Sequence, residues 1–232
     1  MIFCLGDLVN QNVWNNEVVE LVRSRSITTI KGNHDLGIAL GQHLFPFSYT
    51  FPDARKWGIE AIAYTLDRIK PDNQRYLHDL PNQIRMDLGL QPENISLLMV
   101  HGSPRDIHEY IFRATPDDKV QAIMEEAEAH ILLMGHTHRP FHHIFSSEPD
   151  GKKRVAYRHA INVGSAGRPK DGDWHPCYTL LTINRHKSLL YDPDAIQVDC
   201  IKVDYDLEKA VKSIKNSVLP VYYGSCLLTG GG

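Results

Sequence analysis

The chain has 232 residues, with 25 Lys+Arg against 28 Asp+Glu and a formal net charge of -3. That length holds one large domain with a buried core, and the charge balance gives no basic field for nucleic acid or an anionic membrane. Hydrophobic residues make up 42% and charged residues 23%, as in an ordinary soluble globular protein.

Four cysteines (Cys4, Cys177, Cys200 and Cys226) are scattered without a C-x-x-C pair. A disulfide framework or thiolate zinc site is therefore not expected, and a reducing cytoplasm is the natural location. No apolar run approaches transmembrane length and no charged-then-apolar leader opens the sequence, so no membrane partner is expected. The 13 histidines are the unusual entry in the composition.

In chain order, residues 1–5 read as a buried strand stopping at Gly6-Asp7. Asn15 is placed to cap a helix over 16–25, and the β-branched run 26–31 reads as a second strand ending at Gly32. Strand, helix, strand favours a parallel pair in a layered α/β arrangement. Residues 37–52 read as irregular and 54–69 as helical, and a short helix runs from Pro71 to about Leu80. Strands follow at 83–88 and 94–100, joined by a turn containing Gly89 and Pro92; then come a helix over 117–129 and a strand over 131–134. Beyond that the pattern is mostly β, with strands at 141–145, 155–163, 177–183 and 196–203, then a helix over 207–216. A tail ends in Gly230-Gly231-Gly232, read as frayed. No repeat or linker divides the sequence, and residues 1–232 are expected to form a single domain.

Four apolar strands end in short polar segments: Gly6-Asp7, Gly32-Asn33-His34-Asp35, His101-Gly102 and Gly135-His136-Thr137-His138. In layered α/β folds ligands bind beyond the carboxyl ends of strands, so these segments are expected to converge. One carboxylate, one amide oxygen and several imidazoles suit Zn²⁺, Mn²⁺ or Fe, and the lack of thiolates suits a site open to water and substrate. Taken singly, each residue has a plainer reading: Asp7 as a turn cap, residues 33–35 as an Asx turn, the histidines as strand-end polar groups. Four strand ends carrying metal-type residues together make the joint coincidence untenable.

The segments Gly6-Asp7-Leu8-Val9-Asn10, Gly32-Asn33-His34-Asp35, Val100-His101-Gly102-Ser103-Pro104, Gly135-His136-Thr137-His138-Arg139-Pro140 and Asn162-Val163-Gly164-Ser165-Ala166-Gly167-Arg168-Pro169 resemble, in order, those of the calcineurin-like metallophosphoesterase superfamily, near its small bacterial phosphodiesterase branch. The resemblance implies a four-layer αββα sandwich of two mixed β-sheets. It implies Asp7 bridging two divalent metals, with Asn33, His101 and His136 completing the second site and His138 belonging to the first. It further implies His34 as the acid serving the leaving oxygen, oriented and kept as imidazolium by Asp35. The implied reaction is hydrolysis of a phosphomonoester or phosphodiester, a small phosphorylated substrate, by a metal-held hydroxide. Oligomeric state is open, a homo-oligomer included.

The family's opening Asp-x-His segment has no counterpart, since only Met1–Gly6 precede Asp7. The first strand is therefore expected to be missing, and the sequence to hold one ion well and the other poorly. A start assigned too late or a trimmed chain is the favoured explanation; the rival is a metal-binding scaffold module without turnover. Asp106-Ile107-His108 has no strand of its own and reads as an exposed turn or helix start. His142-His143 lies in a strand with one ring in and one out, with no metal role. Residues 164–167 lack the Lys-Ser/Thr of a phosphate loop, although their N–H groups could approach phosphate. Arg105 and Arg168 could contact phosphate, with exposure as the default.

Overall fold

The computed structural model describes residues 1–46, 52–89 and 94–231. Its main sheet has five strands in the order β3-β4-β5-β7-β6. These are β3 (Gln83–Asp87), β4 (Ser96–Val100), β5 (Ile131–Met134), β6 (Phe141–Ser146) and β7 (Tyr157–Asn162). β4, β5 and β7 run parallel, and β3 and β6 close the edges antiparallel. β4 and β5 are buried along their whole length and, Ser96 apart, apolar, because both their faces are covered. Leu98, Val100, Leu132 and Met134 point to one face, where they meet Val120, Ile123 and Met124 of α5 (Asp117–Glu126). Leu97, Met99, Ile131 and Leu133 point to the other.

That second face packs against strands. Phe3 and Leu5 come from and beside β1 (Phe3–Cys4), and Leu181, Ile183 and Val198 come from the antiparallel ribbon of β8 (Cys177–Ile183) and β9 (Ile196–Lys202). β1 pairs in parallel with β2 (Thr28–Thr29). Outside β1 and β2, a further core joins Val19 and Val22 of α1 (Asn15–Ser24), Ile38 of α2 (Asn33–Ala39), Ile62 of α3 (Pro52–Arg68) and Leu77 of α4 (Pro71–Asp79). The layers therefore run helix, sheet, sheet, helix. The second sheet is two separate two-stranded pieces, smaller than the sequence suggests.

Two helices depart from the sequence reading. α2 starts at the segment read as a polar loop, and Gly37 at its centre hides it from propensity. The Phe45 ring packs where a Gly37 side chain would stand. α7 (Val221–Thr229) occupies the stretch read as a tail. Its Gly224 and aromatic residues are poor helix formers, but Tyr223 and Leu227 bury against Val211 and Ile214 of α6 (Leu207–Lys215). Tertiary packing overrides propensity here. Gly230 is not frayed: it ends α7 in the left-handed conformation, and its carbonyl accepts from Gly172 N at 2.8 Å. Asn15 is the first residue of α1 rather than its cap, and its Oδ1 accepts from Asn10 N at 2.6 Å. Part of the predicted irregular stretch 37–52, Pro92 of the predicted turn, and Gly232 lie outside the described residues.

Candidate metal centre

The parallel strands β1, β2, β4 and β5 deliver their carboxyl ends to one place. Donor atoms of Asp7, His101 and His136 all lie within 4.8 Å of one another. His101 Nε2 stands 3.2 Å from Asp7 Oδ2 and 3.0 Å from Asn33 Oδ1, so Asn33 joins the group. The other ring nitrogen, Nδ1, lies 2.6 Å from the Leu5 carbonyl. That contact turns Nε2 inward, as outer partners of ligating histidines do.

His136 Nε2 is buried and has no hydrogen-bond partner. A buried imidazole nitrogen without a donor is costly in a plain protein core, and a cation would satisfy it. The backbone carries strain at the same place. Among the described residues eight non-glycine positions have positive φ, and five of them are Asp7, Asn10, Gln11, His136 and His138. Left-handed backbone in such residues is uncommon, and it gathers where a site needs side chains aimed inward.

His138 stands beside this group rather than in it, with Nδ1 2.6 Å from the Arg168 carbonyl. His34 approaches Asp7 Oδ2 with Nε2 at 3.9 Å, while its Nδ1 lies 2.8 Å from Asn10 Nδ2. Asp35 turns its carboxylate to the backbone. It accepts backbone N–H groups from Asp7 at 2.7 Å, Leu8 at 2.8 Å and Gly32 at 2.9 Å. Gly32 has to be glycine, because a Cβ there would fall on the Asp7 carboxylate.

Electrostatics follow from burial around one anion. Burial works against the Asp7 charge, but His101 first and His34 next hold its carboxyl below the usual range. Burial works against the His101 charge, but the Asp7 charge and hydrogen bond, joined by the Leu5 carbonyl and the Asp35 charge, together raise it. Burial pushes His34 down to about 4 and His136 to about 3, and lowers His138 well below normal. The expectation of an imidazolium at His34 is therefore not met: desolvation exceeds the pull of Asp7. Burial and the Asp7 charge push Asp35 up to about 6.

The comparisons fit this geometry. A model of the calcineurin-like phosphoesterase superfamily domain matches residues 1–186. The chain belongs to that superfamily. It is 30% identical over 238 residues to the uncharacterized protein MJ0912 of Methanocaldococcus jannaschii, covering 99% of this chain and 86% of that one. Among solved structures it is similar to a metallophosphoesterase from Sphaerobacter thermophilus, with 26% identity, a TM-score of 0.66, and 97% and 86% of the two chains covered. The hypothetical protein PH1004 of Pyrococcus horikoshii shares the fold at 22% identity and a TM-score of 0.71, with 99% and 84% covered.

Several neighbours of the cluster escape sequence reasoning. Lys170 is one: burial first, then Arg168, lowers it to about 8, and its charge is felt at Asp7, His34, His136 and His138. Arg168 donates to Gln11 Oε1 and, at 3.3 Å, to Cys226 Sγ, which ties α7 to the site. Tyr110 lays its ring on His136 with centroids 4.1 Å apart. Asn162 Nδ2 donates to the Gly135 carbonyl at 2.5 Å and to Thr137 Oγ1 at 3.0 Å, fixing the histidine loop. Only Asn10, Asn162 and Arg168 lay within the quoted segments; Tyr110 and Lys170 carry no local signal. Arg105 instead pairs with Glu126 at 2.5 Å on the surface. Asp106 is exposed and accepts His108 N at 2.8 Å, a turn contact. His142 meets His159 at 2.9 Å and His143 meets Asp117 at 3.5 Å. No helix among the described residues is long and apolar enough to cross a membrane.

Proposed function

We propose that this chain is a metal-dependent phosphoesterase acting on a phosphomonoester or phosphodiester. The observation that carries the reading is that His136, whose Nε2 is buried and unpartnered, brings a ring nitrogen within 4.8 Å of an Asp7 carboxylate oxygen and a His101 ring nitrogen. Asp7, Asn33, His101 and His136 would hold the ion; His138 would serve a second one together with Asp7. The donor set is imidazole and oxygen, which suits Mn²⁺, Zn²⁺ or Fe. A divalent cation there would polarise a phosphoryl oxygen and acidify a water.

The chain's own groups divide the remaining work. Lys170 and Arg168 place positive charge beside the cluster, which favours an anionic substrate. His34, neutral in its buried setting and held at Nδ1 by Asn10, presents Nε2 toward the Asp7 side, where an N–H can serve a leaving oxygen. Asp35 acts through the backbone, by fixing Asp7 and Gly32.

The test is hydrolysis of bis(p-nitrophenyl) phosphate after chelation and again after adding Mn²⁺. The reading expects Mn²⁺-dependent turnover that falls on the order of 10²-fold or more in His34→Ala. Mn²⁺ binding with no turnover above buffer favours the rival, a binding module without catalysis. What speaks for that rival is that a single three-donor cluster forms among the described residues.

A further inference from the structure

The His136 ring also has a neighbour outside the cluster. Tyr110 covers the ring at 4.1 Å, and Phe112 lies parallel to Tyr110 within 4°, with centroids 5.8 Å apart. These rings step outward from the cluster to a cavity of about 410 Å³ lined by Phe112, Arg113, Thr115, Arg139, Pro140 and Phe141. Phe112 is 40% exposed. The loop is held at both ends: Phe112 N donates to Thr115 Oγ1 at 2.9 Å, and Thr115 N donates to the Phe112 carbonyl at 3.0 Å.

Two guanidinium groups share the cavity. Arg139 Cζ lies 5.8 Å from the Phe112 ring centre, with Nε donating to the Lys170 carbonyl at 2.8 Å. Arg113 Nη1 donates to the His142 carbonyl at 2.9 Å. Both side chains are thus anchored through one nitrogen beside an apolar floor.

The geometry points to a subsite for a flat aromatic group carried by the phosphate ester, of which a nucleobase is the natural example. This deepens the phosphoesterase reading and rests on it for the position of the phosphate. An exposed ring, already in a parallel stack, offers a face to a second ring, and guanidinium planes add cation–π attraction. The volume falls in the range of small-molecule sites. Pro140 is two residues from His138, so the cavity and the cluster share one loop. A phosphate at the cluster and a ring over Phe112 are ends of one ligand.

Saturation-transfer NMR of adenosine 5′-monophosphate with the metal-free full chain tests this without relying on turnover. The base protons should receive more saturation than the ribose protons, and ribose 5-phosphate should compete on the order of tenfold more weakly. Phe112→Ala should weaken the nucleotide by a similar factor, and Phe112→Tyr should restore it; circular dichroism checks that both fold. Ribose 5-phosphate binding as tightly as the nucleotide, or an unchanged Phe112→Ala, overturns the subsite. Base contact at Phe112 without any Mn²⁺-dependent hydrolysis supports the subsite and overturns only the hydrolase reading.

Discussion

Asp35 accepts the backbone N–H of Asp7 at 2.7 Å, so a carboxylate placed next to His34 in sequence organises the loop that carries Asp7. With Leu8 and Gly32 it satisfies three donors at once. Removing the acceptor in Asp35→Ala leaves buried N–H groups unpaired, each costing about 1–3 kcal/mol. We predict a large loss of stability by urea unfolding. Asp35→Asn, which keeps an oxygen, should lose less while still weakening Mn²⁺ binding. Full stability in Asp35→Ala would contradict the assignment.

Gly32 gives a second handle on the same loop. A methyl group there meets the Asp7 carboxylate, and crowding of this kind costs about 1–3 kcal/mol. Gly32→Ala should therefore lower Mn²⁺ affinity at least tenfold by titration calorimetry. Unchanged affinity would show that Asp7 is free to move or is not a ligand.

Ion binding to the folded state alone raises its stability by mass action, by about 2.7 kcal/mol at a hundredfold excess over Kd. Mn²⁺ should raise the melting temperature of the native chain, and His136→Ala should abolish the rise. His143→Ala should retain it, since His143 pairs with Asp117 away from the cluster. Equal shifts in both variants would place the ion elsewhere.

Acid should destabilise the metal-free chain. His34 and His159 lie near 4 and His136 near 3 in the folded state, against 6.5 for the free side chain. Folding keeps these groups neutral, so between pH 6.5 and about 4 the unfolded chain binds more protons, and stability falls as pH falls. His101 has the opposite sign: its raised value gives stability below 6.5 that is lost as pH rises past its folded value. Asp35, pushed up to about 6, acts in the same sense as His101, but the four lowered histidines, His138 included, outweigh these two raised groups, so urea midpoints should drop from pH 7 to pH 5. A higher midpoint at pH 5 would refute this balance.

How much of this was legible follows from particular residues. β4 and β5 were readable because apolar runs covered on both faces leave little choice, and β8 was readable from its turn-bounded strand pattern. The cluster was readable because its members sit at strand ends, and Asp7, Asn33, His101 and His136 do meet. α2 and α7 were hidden by Gly37 and Gly224, whose cost is offset only by contacts distant in sequence. The role of Asp35 was hidden for the same reason: its partners Asp7 and Leu8 lie 28 and 27 residues away. The charge state of His34 depends on desolvation, which no spacing encodes.

Anomalous diffraction from a crystal soaked in Mn²⁺ tests the central claim most directly. The account predicts a peak within coordination distance of Asp7, Asn33, His101 and His136, with His136 Nε2 turned onto it. Full Mn²⁺ occupancy at some other place, with that nitrogen still facing no ion, would contradict it.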